Sequence, residues 1–245
     1  FAVPARLRMI AAVFKVSYTT LGERWPSVTL VGTAFFVTPR VALTARHILP
    51  PSRYPPDDGR ARCEYWLVGK DGSRMQFAPR HLTRARGVDA MRIDVPDARG
   101  VSPLSVVTGA TPMGEAYTAR GYADPSAIRP AYAVRPRAWS RVEDVLSWFD
   151  LATLWHTRRG IVRTVRTATV VTGDLRLDGV RVIEFDAGGV QGMSGGPLIH
   201  EASGRVAGIL SFGLPNAGNV KDVVYAMPIA DAVAGLAAAS RGSGP

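Results

Sequence analysis

Apolar and polar residues alternate in short runs along most of the chain, and the runs are rich in valine, threonine and aromatic residues. Segments 11–18, 28–37, 41–45, 64–68 and 101–107 have this character, which predicts half-buried β-strands. Turn signals separate them: Thr38-Pro39-Arg40, Lys70-Asp71-Gly72, and a stretch at 50–59 holding four prolines, expected as an exposed loop. A second set of strands is predicted at 116–122, 161–165, 167–171, 180–186, 197–200, 206–212 and 223–227. Many short strands with turns between them imply an all-β architecture, a sandwich or a barrel.

Two stretches break the pattern. Val142, Val145, Leu146, Phe149 and Leu151 recur at spacings near three and four, predicting a helix over 141–156. Pro228 suits the first turn of a second helix running to about residue 240, with Ile229, Val233 and Leu236 as its apolar positions. Residues 241–245 are expected to form a loose tail. No internal repeat and no metal-ligand spacing is visible, and no cofactor is implied.

Composition narrows the classes. A chain of 245 residues can bury a sizeable core, as one large domain or two small ones. Its 47% hydrophobic and 20% charged content excludes wholesale disorder. The formal charge of +10 admits an anionic partner or a compositional bias of the source. Lys15, Lys70 and Lys221 are the only lysines, and the arginines are spread without a long run. Basic and aromatic residues do not interleave in a nucleic-acid motif, so nucleic acid is the disfavoured partner. No run of 18 apolar residues exists, which excludes a membrane-spanning helix. The single cysteine, Cys63, excludes an intramolecular disulfide and reads as a core filler. A disulfide-free chain points to a reducing, cytoplasmic setting. Periplasmic or secreted placement stays open, because the chain starts at Phe1 rather than Met, which leaves room for an upstream piece.

Three constellations carry chemistry. The first is Gly192-Met193-Ser194-Gly195-Gly196-Pro197. A serine hydroxyl needs a base to take its proton and N–H donors aimed at the developing oxyanion. A glycine turn can converge the N–H groups of Gly192 and Ser194 on one point; alone, it could equally be a strand-connecting turn. The second is Ala42-Leu43-Thr44-Ala45-Arg46-His47, a histidine at a strand end that can serve as general base. His81, His156 and His200 have no comparable setting. The third is the segment 88–95. Read as a strand, it puts Asp89 with Met91, Ile93 and Val95 on the inward face and Asp94 with Arg92 on the other. A buried carboxylate must be paired or hydrogen-bonded, and an acid that orients a histidine meets that need.

Taken together, these residues resemble the chymotrypsin-like serine proteases. The order His47, Asp89, Ser194 matches that family and differs from subtilisin and the α/β-hydrolases. Thr44-Ala45-Arg46-His47 resembles its Thr-Ala-Ala-His, and Gly192–Pro197 its Gly-Asp/Asn-Ser-Gly-Gly-Pro. The bacterial HtrA-like branch is nearer than the digestive one. Asp186 to Pro197, Gly160-Ile161-Val162 and Tyr225-Ala226-Met227-Pro228 each echo one of its motifs. The resemblance covers roughly residues 10–235. It implies one trypsin-like protease domain over 1–245, built as two antiparallel six-stranded barrels. These would span about 10–110 and 114–228, with a crossing near 108–115 and a C-terminal helix at about 228–240.

It further implies a serine endopeptidase with an acyl-enzyme, an oxyanion hole at Gly192 and Ser194, and a protein or peptide substrate. Ser211, Phe212 and Gly213 would pair with the substrate, and Gly188, Gly189 and Gln191 would line its pocket. With Gly188 six residues before the serine, no acid sits at the pocket floor, so an uncharged side chain is expected there, aromatic or medium aliphatic. Met193 replaces the acid that pairs with a freshly cut N-terminus in the digestive enzymes. Region 124–159, with its predicted helical insertion, is longer than the family needs. A regulatory protein or an upstream domain is a possible partner. A catalytically silent peptide-binding relative is the alternative.

Overall fold

The computed structural model describes residues 9–19, 27–49, 61–95, 101–123, 142–147, 149–172, 174–214 and 223–241. The predicted loop at 50–59 and the tail at 242–245 lie outside them, as do 124–141 of the long insertion.

Among the described residues, thirteen strands fall into two sheets. The first contains β1 (Ile10–Thr19), β2 (Ser27–Thr38), β3 (Val41–Thr44), β4 (Ala61–Gly69), β5 (Arg74–Phe77), β6 (Leu82–Arg84) and β7 (Met91–Asp94). Their order is β5-β4-β1-β2-β3-β7-β6, every pairing antiparallel. The second contains β8 (Ala116–Tyr122), β9 (Trp155–Thr172), β10 (Leu175–Phe185), β11 (Pro197–His200), β12 (Val206–Leu214) and β13 (Val223–Pro228), closed into a six-stranded barrel in the order β10-β13-β12-β11-β8-β9.

The first sheet has seven strands rather than six and is not closed by a ladder. Its two edge strands, β5 and β6, are consecutive and separated only by Ala78 and the 3₁₀ turn Pro79–His81. Proline has no N–H to give a ladder, so the turn splits one bent strand into two. Counted as one, β5 and β6 restore a six-membered ring.

Periodicity located most strands but not their ends. β5 and β6 were not predicted, since four- and three-residue strands show little alternation. The predicted strand at 101–107 is irregular. Its Leu104 N–H bonds to the Phe36 carbonyl, while Val106 bridges Val206, so this segment stitches the two sheets together. Segments 161–165 and 167–171 are parts of one strand, β9.

The predicted helix over 141–156 is two short ones, α1 (Val142–Ser147) and α2 (Leu151–Leu154). The Asp150 carboxylate accepts from the Ala152 N–H at 2.9 Å and caps the second. Helix then gives way to strand, because Trp155 pairs with Tyr122 and the β8–β9 ladder claims the backbone from there on. Leu146, Leu151 and Leu154 are buried, and the Phe149 ring lies 4.8 Å from that of Phe14. The helical insertion therefore packs on the first sheet. The C-terminal helix α3 (Ile229–Arg241) buries Ile229, Ala232 and Gly235.

Candidate functional site

His47 lies in a 3₁₀ turn, Arg46–Ile48, directly after β3. β3 pairs with β7, Thr44 opposite Met91, so the residues just before β7 come alongside those just after β3. Asp89 sits there, in the bend before β7 rather than inside a strand, with no solvent exposure. Met91, Ile93 and Val95 are buried with it, while Arg92 and Asp94 form an ion pair of 2.5 Å nearer the surface. The two faces read from the sequence hold only within β7, from Met91 on. Val88 and Ala90, assigned to the outward face with Arg92 and Asp94, are buried because the chain bends there and is not yet a strand.

Asp89 is fully engaged. Its Oδ2 lies 2.7 Å from His47 Nδ1, and its Oδ1 accepts from the His47 backbone N–H at 2.9 Å. The Ser211 hydroxyl also donates to Oδ2. Burial pushes the Asp89 carboxyl up, but the hydrogen bonds from His47 and Ser211 and the charge of His47 outweigh it. The carboxyl ends below its ordinary value. With an ionised acceptor at Nδ1, the imidazole keeps its proton there and leaves Nε2 free to act as a base.

Ser194 follows a tight turn between the barrels. Gly192 has φ +100 and Gly195 φ +86, left-handed conformations that suit glycine. A Cβ on Gly195 would also sit 2.1 Å from both the Thr33 carbonyl and the Thr44 hydroxyl, so no side chain fits. The Met193 carbonyl accepts from Gly196 N–H at 2.9 Å. Carbonyl and N–H point oppositely across a planar peptide, so the Ser194 N–H faces away from that bond. Among the described residues neither it nor the Gly192 N–H meets a protein acceptor. Met193 is buried in the second barrel, as an apolar residue at that place should be. The Ser194 hydroxyl donates to the Ser211 carbonyl at 3.0 Å rather than to His47.

The other predicted residues surround this point. Ser211, Phe212 and Gly213 occupy the second half of β12, beyond its last pairing with β11 at Ile209. Phe212 and Gly213 pair with β13, Ser211 lies at the register shift between them and Leu210, and among the described residues no strand pairs with their other side. The Ser211 hydroxyl was not foreseen as a partner of Asp89. Gly188 is partly buried, and Gly189 and Gln191 are exposed. Gly189 lies against Val224, whose Cγ2 is 2.6 Å from where a Cβ would stand, and Val224 pairs with Gly213. Val224 and Thr33 are the residues that sequence reasoning missed. Both read as ordinary strand positions, and only the register reveals their neighbours. No three His, Cys, Asp or Glu side chains converge as metal ligands among the described residues.

A family model described as the trypsin-like peptidase domain matches residues 32–209, a span that contains His47, Asp89 and Ser194. The chain belongs to the trypsin-like peptidase family. It is a serine peptidase by that membership, with the chymotrypsin-like fold. Among solved structures it is similar to the Rv3671c protease from M. tuberculosis in its active form, with a TM-score of 0.56 and 16% identity, covering 93% of this chain and 80% of that one. It is also similar to the HtrA-type protease AlgW with a decapeptide, with a TM-score of 0.63 and 13% identity, covering 97% of this chain and 66% of that one. At these identities the likeness is one of fold. No curated protein matches significantly.

Proposed function

We propose that this trypsin-like peptidase is an endopeptidase in which Ser194 is the nucleophile, His47 the general base and Asp89 the orienting acid. The observation that carries the reading is the pairing of buried Asp89 with His47 through both ring and backbone, at 2.7 and 2.9 Å. A carboxylate so placed has the role of fixing the imidazole tautomer and stabilising the imidazolium. His47 takes the proton of Ser194 as it attacks the peptide carbonyl, and the N–H groups of Gly192 and Ser194 receive the oxyanion. His47 then protonates the leaving amine. Water, deprotonated by His47, hydrolyses the acyl-enzyme and restores Ser194.

An extended peptide adds to the open side of residues 211–213 by backbone hydrogen bonds. Its side chain enters between that segment and Gly188, Gly189 and Gln191. None of these described residues is acidic, and Val224 packed against Gly189 limits the depth of the space. This favours a small uncharged side chain over the aromatic one that sequence alone left open. Six described arginines are already paired with carboxylates: Arg92, Arg159, Arg163, Arg166, Arg176 and Arg181. That local neutralisation supports a protein or peptide partner over nucleic acid. No described helix is long and apolar enough to cross a membrane. A single domain over 1–245, a cytoplasmic setting and control by a regulatory partner complete the proposal, the last two resting on the lone Cys63 and the hazard of an unrestrained protease.

A second reading has one observation in its favour. The Ser194 hydroxyl is bonded to the Ser211 carbonyl, which suits a silent peptide-binding relative. Incubation with a peptide panel separates the two. Cleavage after alanine or valine that vanishes in Ser194→Ala supports the peptidase. Binding without cleavage supports the silent relative, and strong preference for arginine or lysine would refute the proposed pocket.

A further inference from the structure

Thr33 lies in β2, has no solvent exposure, and uses every polar group it carries. Its hydroxyl donates to the Gly192 carbonyl at 3.0 Å and accepts from the Tyr122 N–H at 2.9 Å. Its N–H donates to the Ser194 carbonyl at 2.8 Å, and its own carbonyl accepts from the Thr44 hydroxyl at 2.6 Å. One residue of the first sheet therefore holds the carbonyls on both sides of Met193 and the first strand of the second barrel. Packing alone does not require this, since valine has the same shape without the hydroxyl.

We propose that Thr33 is a positioning residue whose hydroxyl sets the 192–194 turn in the geometry that aims the Gly192 and Ser194 N–H groups at the substrate oxyanion. The inference rests on the peptidase reading above. The Gly192–Met193 peptide is fixed from both sides: its carbonyl by Thr33, and its N–H by the Val190 carbonyl at 3.0 Å. The Ser194 N–H is aimed by the Met193–Gly196 bond. What remains is Gly192, whose φ of +100 belongs to a residue with wide conformational freedom. Its N–H keeps its direction only if the peptide that follows is held. Without the Thr33 hydroxyl, the buried Gly192 carbonyl has no partner, and rotating the 192–193 peptide is the available way to find one. Gly192 tolerates wide φ and ψ, so the rotation is passed through its Cα to the 191–192 peptide, whose N–H is the donor. It takes that donor away from the oxyanion, where donors work by being fixed in advance.

The experiment compares Thr33→Val with Thr33→Ser, each counted by active-site titration and checked for thermal stability. Thr33→Val should lower kcat per titrated site by about 10- to 100-fold, up to the loss seen on removing one oxyanion donor, with KM changed less than about threefold. A peptide boronate should weaken by the same factor as kcat/KM, and Thr33→Ser should restore most of both. Thr33→Cys, with its weak S–H donor, serves the comparison if Thr33→Val does not fold. Wild-type kcat per site in Thr33→Val, or equal damage in Thr33→Ser, would overturn the proposal. A crystal structure of the valine variant reads the same point without catalysis. A Gly192 N–H turned away from its place beside the Ser194 N–H supports the role, and an unmoved one refutes it, even if the wild-type protein cleaves nothing and the peptidase reading fails.

Discussion

The Ser194 hydroxyl donates to the main-chain carbonyl of Ser211 at 3.0 Å, while the hydroxyl of the same Ser211 donates to Asp89. One residue thus touches the candidate nucleophile through its backbone and the candidate acid through its side chain. The Ser211 carbonyl also faces the open side of β12, where an extended peptide would bring an N–H. Under the proposed function, a peptide N–H would share this carbonyl with Ser194, weaken the Ser194 bond to it, and let the hydroxyl turn to His47. Replacing the N–H of the residue before the scissile bond by an ester oxygen should lower kcat as well as raise KM. The expected loss in kcat/KM is about tenfold, that of one hydrogen bond. A loss confined to KM would contradict this coupling.

Asp89 makes stability depend on acid in a definite direction. Its folded-state carboxyl lies below the ordinary value of about 3.9. The stabilisation is present above that value and is lost as pH falls through the lower, folded one. Asp89→Asn should therefore differ from the intact protein most near neutrality, with the gap closing as pH falls below the ordinary carboxylate value in urea denaturation. At neutral pH its kcat should drop by about four orders of magnitude, as when the acid of a serine-protease triad becomes its amide.

If the proposed pocket is right, Val224 would set its depth through the contact with Gly189. Val224→Gly should raise kcat/KM for phenylalanine relative to alanine at the cleavage position by about tenfold or more, since each buried methylene is worth that order of discrimination. An unchanged ratio in competing peptide substrates would place the depth limit elsewhere.

Tyr117 gives the alkaline counterpart to Asp89. Burial, helped by the charge of Glu115, pushes its phenol up to about 12, and its hydroxyl donates to the Pro112 carbonyl at 2.9 Å. A raised folded value means stability that is complete below about 10 and is lost as pH rises toward the folded value. Absorbance titration should show one of the seven tyrosines ionising near 12, and Tyr117→Phe should remove that step.

Much of this site is legible in the sequence, for identifiable reasons. His47 and Ser194 sit in short motifs whose glycines and strand endings announce a turn. Asp89 is visible because alternation assigns it to an apolar face, a place where a carboxylate needs a partner. Thr33 and Val224 are not legible, since each is an unremarkable strand residue whose importance comes from a neighbour across the fold. Gly192 is 159 residues from Thr33, and Gly189 meets Val224 only through the register of β12 and β13. The helix expected over 141–156 is present as two short ones, and the second stops at Leu154 for a related reason: pairing of Trp155 with Tyr122 overrides the local spacing of apolar residues.

The central claim is that Ser194 is an activated nucleophile, and labelling with a fluorophosphonate tests it most directly. The intact protein should be labelled at Ser194, as mapped by peptide mass spectrometry. Ser194→Ala should take up no label, and its kcat on a cleaved peptide should fall by about six orders of magnitude. A folded, intact protein that stays unlabelled in the presence of peptide, or label that persists in Ser194→Ala, would contradict the account.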